Sequence, residues 1–371
     1  MKIIDRYIGK STLVATIFAV VVLSFVLVLG NIFKELLDLL VNRNVPLHTV
    51  IAFMMFVLPF SLAFTIPWGL LTALLLVFGR ISADNELIAL RANGISMLRV
   101  SVPVFCIALV LTGICIWINI DIAPRAEKRM LLSIFEIATN NPSALFGADE
   151  VVSEFPDRRV YVGDRKGDTL LNVIVIEMDS DANPLKLVHA KEGKLTSDPA
   201  HARLLLKLYN AQFEERDPKD PLNIKKIRQG INLVEGTFPI PLQALYAEYM
   251  NTGRLTSFTM DELEREWTKL AVTKPKRALR VRVEMSRRFS ISLACIAFTL
   301  IAIPLGITTH RKETSVGFAL SIALAFIYFF FILIARALQE NIQAHPVFLM
   351  WLPNILFITL GAFLFFRMCR R

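Results

Sequence analysis

Residues able to do chemistry are few in this 371-residue chain, and their spacing excludes most of what they could do. The five histidines, His48, His189, His201, His310 and His345, stand far apart, and no pair has the spacing of a metal site. The four cysteines, Cys106, Cys115, Cys295 and Cys369, form no CxxC and read as small apolar side chains. No Walker A, GxSxG, HExxH or glycine-rich dinucleotide loop occurs. No catalytic residue, metal ligand or resident cofactor is therefore assigned. Any work done by the chain draws its energy from elsewhere, as in one part of a machine.

Two charged groups remain. The first is the segment 80–99, where Ser82 can cap a short helix through Asp84, Glu86 and Arg91, and Gly94 can end it. Asp84 and Glu86 suit the positive end of the helix dipole. One reading is a solvated loop with ordinary capping. The other is a coupling helix that docks in a groove of a cytoplasmic ATPase, with Glu86 as its charged contact and Leu87, Arg91 and Gly94 as the supporting residues.

The second group is a belt of bases. Lys34 ends the first apolar stretch, and Arg125, Lys128 and Arg129 follow the third. Lys274, Lys276, Arg277, Arg280, Arg282, Arg287 and Arg288 precede the fourth, against the single acid Glu284. Such a belt can receive a phosphorylated head group, anchor to anionic lipid, or arise by chance in a translocated domain.

The elements that must position these residues are membrane spans. The chain is 54% hydrophobic and 20% charged with mean hydropathy +0.53, where soluble proteins hold about 45–50% apolar and about 25% charged residues. Six windows lack any charge or histidine: 11–33, 49–79, 100–120, 289–309, 314–335 and 346–366. Each reaches the roughly 20 residues that cross a bilayer. The second carries Pro59 and Pro67 and reads as tilted or kinked. The first is too long for a signal-peptide core and reads as a retained helix.

These windows predict an α-helical membrane protein of six transmembrane helices, three before and three after an inserted domain. Residues 1–121 hold the first three with the loop at 80–99, residues 122–287 form the domain, and 288–371 hold the last three. The segments on the terminal side of the membrane carry 11 bases and 4 acids, whereas the opposite short loops carry only three bases, Lys34, Arg43 and Arg336, and sum to zero. By the positive-inside bias both termini are cytoplasmic and the large domain lies outside. Most of the net charge of +9 thus sets orientation, and no nucleic-acid footprint is implied.

The inserted domain reads as all-β. Strand candidates are 160–162, 170–178, 185–189, 204–213 and 231–234, separated by turns at Gly163-Asp164, 181–184, Glu192-Gly193, 197–199 and Asp217-Pro218. Runs at this spacing suggest an antiparallel sandwich or jellyroll. A helix is predicted over 260–271, with Thr259 and Glu262 as a capping box and Leu263, Trp267 and Leu270 on one face.

In this order the pieces resemble the LptF/LptG family, paired permeases of the bacterial lipopolysaccharide exporter. The resemblance rests on Asp5-Arg-Tyr-Ile-Gly-Lys10, Glu86-Leu-Ile-Ala-Leu-Arg-Ala-Asn-Gly94-Ile-Ser96, Ala123-Pro124, Arg288-Phe-Ser-Ile-Ser-Leu293, Pro304-Leu-Gly306 and Trp351-Leu-Pro-Asn354. It covers nearly the whole chain, and the Asn141-Pro142 stretch and the region of Glu284 lean toward LptF.

The resemblance implies a non-catalytic permease of the inner membrane with a periplasmic jellyroll. Its implied partners are a sister permease, a dimeric cytoplasmic ATPase that binds the ATP, a periplasmic jellyroll bridge, and lipopolysaccharide as cargo. It makes Glu86 the coupling acid and Lys34 the base that meets lipid A phosphate or core sugar, and it puts Arg125, Lys128 and Arg129 in the family's basic stretch after span three, as further substrate-binding residues. It also implies a cavity lined by 11–33 and 314–335. A membrane-anchored sensor or scaffold without transport activity is the competing reading. An intramembrane enzyme would need facing polar groups within the spans.

Overall fold

The computed structural model describes residues 3–37, 47–140, 149–152, 158–167, 169–178, 184–198, 203–215, 228–241, 255–308 and 314–370. The helices are α1 (Ile3–Leu37), α2 (Leu47–Ala83), α3 (Glu86–Ala92), α4 (Met97–Trp117), α5 (Ala123–Asn140), α6 (Met260–Thr273), α7 (Pro275–Thr308), α8 (Thr314–Ala337) and α9 (Pro346–Arg370). Among the described residues six stretches are long and apolar enough to cross a membrane: Ile3–Gly30, Met54–Ala83, Met97–Met130, Pro275–Thr308, Val316–Ala337 and Ile342–Arg370. They coincide with the six charge-free windows.

The chain forms two compact units. One comprises Met1–Asn31, Met55–Lys128 and Leu255–Arg371, and the other Ile32–Met54 and Arg129–Arg254. Residues 255–287, read from the sequence with the inserted domain, pack with the spans.

In the helical unit, α2 continues through Pro59 and Pro67. The third span also runs past its expected end. A widened π turn at Ile118–Ile122 joins α4 to α5. Pro124 explains its position: it has no N–H for the carbonyl of Ile120, and the turn before it relaxes the ladder. The core gathers Leu70, Leu71, Leu74 and Phe78 of α2 with Phe298, Ile301 and Ala302 of α7. Polar bonds stitch the spans where water is excluded. Ser24 and Thr65 hydroxyls lie 2.8 Å apart, and Tyr328 donates to the carbonyl of Ser290 at 2.9 Å. Asn354 donates to that same carbonyl at 2.9 Å. Among the described residues all four cysteines are free, with the Cys115 and Cys295 sulfurs 3.9 Å apart.

Gly361 sets the closest approach of α9 to α7. A Cβ there would lie 2.8 Å from the backbone nitrogen of Ile301 and 2.8 Å from the carbonyl carbon of Leu300. Small residues allow such contact between spans. Gly361→Ala is expected to push the helices apart and cost about 1–3 kcal/mol, the range for overpacking. Thermal unfolding in detergent checks this, and an unchanged midpoint would refute it.

The other unit carries a six-stranded antiparallel sheet in sequential order: β1 (Glu150–Val152), β2 (Arg158–Lys166), β3 (Thr169–Met178), β4 (Pro184–Asp198), β5 (Arg203–Glu215) and β6 (Arg228–Pro241). The inserted β domain is therefore present, with its described strands in an up-and-down order. Its core includes Val160, Val162, Leu170, Val173, Val175, Val188 and Ala190, continuing through Leu195, Leu206, Leu208 and Ala211.

Two expected turns lie inside strands. Gly163-Asp164 is within β2 and Glu192-Gly193 within β4. Gly193 is there for space: a Cβ would meet Leu208 and Val173 side chains at 3.2 Å each. Positions 181–183, 199 and 217–218 lie outside the described residues. A row of residues crosses the sheet without ladder pairing: Gly163, Asn172, Lys191, Asn210 and Val234. Asn172 and Asn210 hold φ of 52° and 51°. Across this row, buried positions step by three instead of two, from Leu170 to Val173, from Ala190 to Gly193 and from Leu208 to Ala211.

Candidate functional site

At one end of the helical unit, the segment between α2 and α4 builds a short exposed helix. Ser82 is not its cap, as the sequence suggested. It lies inside α2, buried, and donates to the carbonyl of Ile307 at 2.9 Å. The sharp reversal falls on Asn85, with φ 57°, a conformation that asparagine tolerates. Gly94 ends α3 as expected, at φ 76°. Its N–H donates to the carbonyl of Arg91 at 2.9 Å, and the N–H of Ile95 reaches that of Leu90 at 3.1 Å. This is the Schellman arrangement. Ser96 then caps α4, accepting from the N–H of Arg99 at 3.3 Å.

Within α3, Leu87 turns inward and is 4% exposed, so it seats the helix. Ile88, Ala89, Arg91 and Ala92 are exposed, and Glu86 is half-buried beside them. Two contacts that local sequence does not advertise hold this segment to α1. Tyr7 donates to the Glu86 carboxylate, with its hydroxyl 3.2 and 3.3 Å from the two oxygens. Asp5 pairs with Arg99 at 2.6 Å.

The opposite end carries most of the basic belt, and much of it is already paired. Arg125 bonds Asp121 one turn back at 2.6 Å and is 66% exposed. Lys128 bonds Glu262 of α6 at 3.2 Å. Arg280 pairs with Glu340, and Arg282 lies 5.5 Å from the Trp267 ring centroid. Arg129, Lys274, Lys276 and Arg277 are exposed. The side chain of Lys34 lies outside the described residues.

The capping box of α6 is complete. Glu262 accepts from the backbone N–H of Thr259 at 2.8 Å, and Thr259 accepts from that of Glu262 at 3.4 Å. That N–H, helped by Lys128, holds the Glu262 carboxyl below its usual range against the opposing effect of partial burial.

One buried polar cluster is hinted at by spacing and revealed by burial. Glu284, Arg287 and Arg288 lie at i, i+3 and i+4 on α7, all at most 7% exposed. Arg287 forks onto Glu284 with bonds of 2.6 and 2.7 Å. Arg288 reaches Glu284 at 3.3 Å and directs Nη2 to the carbonyls of Leu255, Thr256 and Phe258 at 3.0, 3.1 and 2.7 Å. Thr256 in turn donates to Glu127 of α5 at 2.7 Å. A small cavity beside the cluster is bordered by Phe60, Phe64, Asn119, Glu127, Thr256, Arg287 and Arg288. Asn119, in the π turn, donates to Ser292 of α7 at 3.1 Å. Two acids against two arginines leave this cluster close to neutral, which suits a structural lock better than an anion site.

Among the described residues no group of three or more His, Cys, Asp or Glu side chains is arranged to hold a metal ion. A model of the family described as lipopolysaccharide export system permease LptF/LptG matches residues 6–367. No curated protein matches the chain.

Proposed function

The chain belongs to the LptF/LptG family of lipopolysaccharide export permeases, and from that premise we propose that it is one half of a two-permease assembly that lifts lipopolysaccharide out of the inner membrane. As a permease subunit it is non-catalytic. A dimeric ATPase in the cytoplasm supplies the energy, and a periplasmic jellyroll bridge receives the lipid. The observation that carries the coupling step is α3, a short helix closed at its end by Gly94 with Glu86 and Arg91 beside the exposed Ile88 and Ala92. An apolar patch with a charge at each end fits a protein groove better than it fits water.

The excess of bases on the termini and the 80–99 loop supports an orientation with α3 on the side of the ATPase and the β sheet in the periplasm. ATP-driven closure of the ATPase moves α3, narrows the cavity between sister permeases, and pushes the lipid toward the sheet. Lys34, Arg125, Lys128 and Arg129 contribute the head-group contacts. The pairs Arg125–Asp121 and Lys128–Glu262 do not preclude this, because exposed ion pairs are worth only about 0–1 kcal/mol and a phosphate can displace the acid.

Purification from native membranes in mild detergent tests the assignment. Recovery of an ATPase, a second permease and lipopolysaccharide is the expected result. Recovery of none of them would refute it and favour a membrane-anchored sensor.

A further inference from the structure

We infer that Asp5 and Arg99, together with the Tyr7–Glu86 bond, form a clamp that transmits movement of α3 to α1. This rests on the reading of α3 as the ATPase-docking helix and adds the route by which the motion enters the spans. Tyr7 is one helical turn from the start of α1, and its hydroxyl touches the carboxylate that opens α3. Two residues earlier, Asp5 is 9% exposed and meets Arg99 of α4 at 2.6 Å.

The position of Arg99 is informative. It lies in the first turn of α4, the positive end of the helix dipole, where a cation is disfavoured. Its backbone N–H bonds the Ser96 cap, while its side chain turns to α1. The acid that offsets it comes from α1, 94 residues away. The α3 segment is therefore held from both flanks: Glu86 at its start and Arg99 just beyond its end each bind α1.

Ile8, the next residue of α1, is fully buried in the same core as Leu87, Met97 and Val100. The end of α1 and the α3–α4 corner thus share both polar ties and packing. A displacement of α3 cannot be absorbed by α3 alone, since Leu87 is buried and both flanks are tied. It shifts α1 along its length, because a helix is stiff along its axis. Asp5 and Arg99 act here as positioning residues. Neither is required to touch the ATPase or the lipid.

The test uses the complex purified with its ATPase and sister permease and reconstituted in vesicles containing lipopolysaccharide. It measures lipid passed to an acceptor jellyroll per ATP hydrolysed. Asp5→Asn and Arg99→Gln are each expected to keep the ATPase bound and to lower that ratio about fivefold or more. The exchange Asp5→Arg with Arg99→Asp is expected to restore at least half of it, which a general loss of folding would not allow. A parental ratio in both single variants, or no recovery in the exchange, overturns the clamp. Loss of the ATPase from the single variants also overturns it, by moving the pair into the docking contact. Failure of the docking reading looks different: the parental protein would purify without an ATPase, and the clamp would fall with it.

Discussion

Arg288→Ala is expected to be the most destabilising single substitution in the helical unit, at about 3–5 kcal/mol, the range for breaking a buried ion pair from one side. Arg288 is 1% exposed and serves four acceptors at once: the Glu284 carboxylate and three main-chain carbonyls of the turn at 255–258. Alanine would remove all four bonds; Glu284 keeps the fork from Arg287 and the Leu255 carbonyl keeps the N–H of Phe258, so the loss falls on the Thr256 and Phe258 carbonyls, in a space that water reaches poorly. Each buried acceptor left unpaired costs about 1–3 kcal/mol, and relaxation of the turn recovers part of the sum.

Arg288→Lys discriminates between charge and shape. Lysine keeps the cation near Glu284, but one ammonium cannot span three carbonyls and a carboxylate as a planar guanidinium does. It should fall between parent and alanine. The measurement is the thermal unfolding midpoint of the purified protein in detergent, with retained insertion checked by membrane fractionation. An alanine variant that unfolds with the parent would show that the cluster contributes nothing to stability.

Glu86→Lys is expected to have the largest effect on assembly. If Glu86 meets a base in the ATPase groove, reversal replaces attraction by repulsion in a contact shielded from water. Removing one partner of such a pair costs about 2–5 kcal/mol. Even the lower figure corresponds to roughly thirtyfold weaker binding. The protein itself should fold and insert normally, because Glu86 is only half-buried and its contact with Tyr7 is exposed. Pull-down of the ATPase through a tag on the permease reads the effect. Co-purification at parental levels would remove α3 from the docking surface, whatever the rest of the complex does.

The spans were legible because each is a run without charge, and a charged residue or histidine marks each end. The capping box at Thr259 and the stop at Gly94 were legible because both are local chemistry with fixed spacing. Gly193 misled for the opposite reason. A glycine beside Glu192 has the look of a turn, but the space it leaves is claimed by Leu208 and Val173 from neighbouring strands. Ser82 misled in the same way: a hydroxyl before an acidic stretch suggests a cap, and its partner is a carbonyl 225 residues distant.

The candidate site divides along this line. Glu284 among arginines is visible as spacing, but that the cluster is buried depends on the turn at 255–258 returning against it. Tyr7 and Glu86, 79 residues apart, carry no mutual signal in one sequence. The belt of bases was visible as composition, while its internal pairing with Asp121, Glu262 and Glu340 was not.

The unpaired row across the sheet behaves like a line defect in a two-dimensional lattice. Each of β3, β4 and β5 gains one residue there, and the inward and outward faces exchange parity at the same level in all three. Such a dislocation cannot stop in the middle of the sheet. A strand without the extra residue would run one step out of frame beside its neighbour and turn its buried side chains, such as Leu206 and Leu208 on β5, to the opposite face. The positions at 163, 172, 191, 210 and 234 therefore act as one unit, in which a deletion in any single strand is tolerated only with matching deletions in the others.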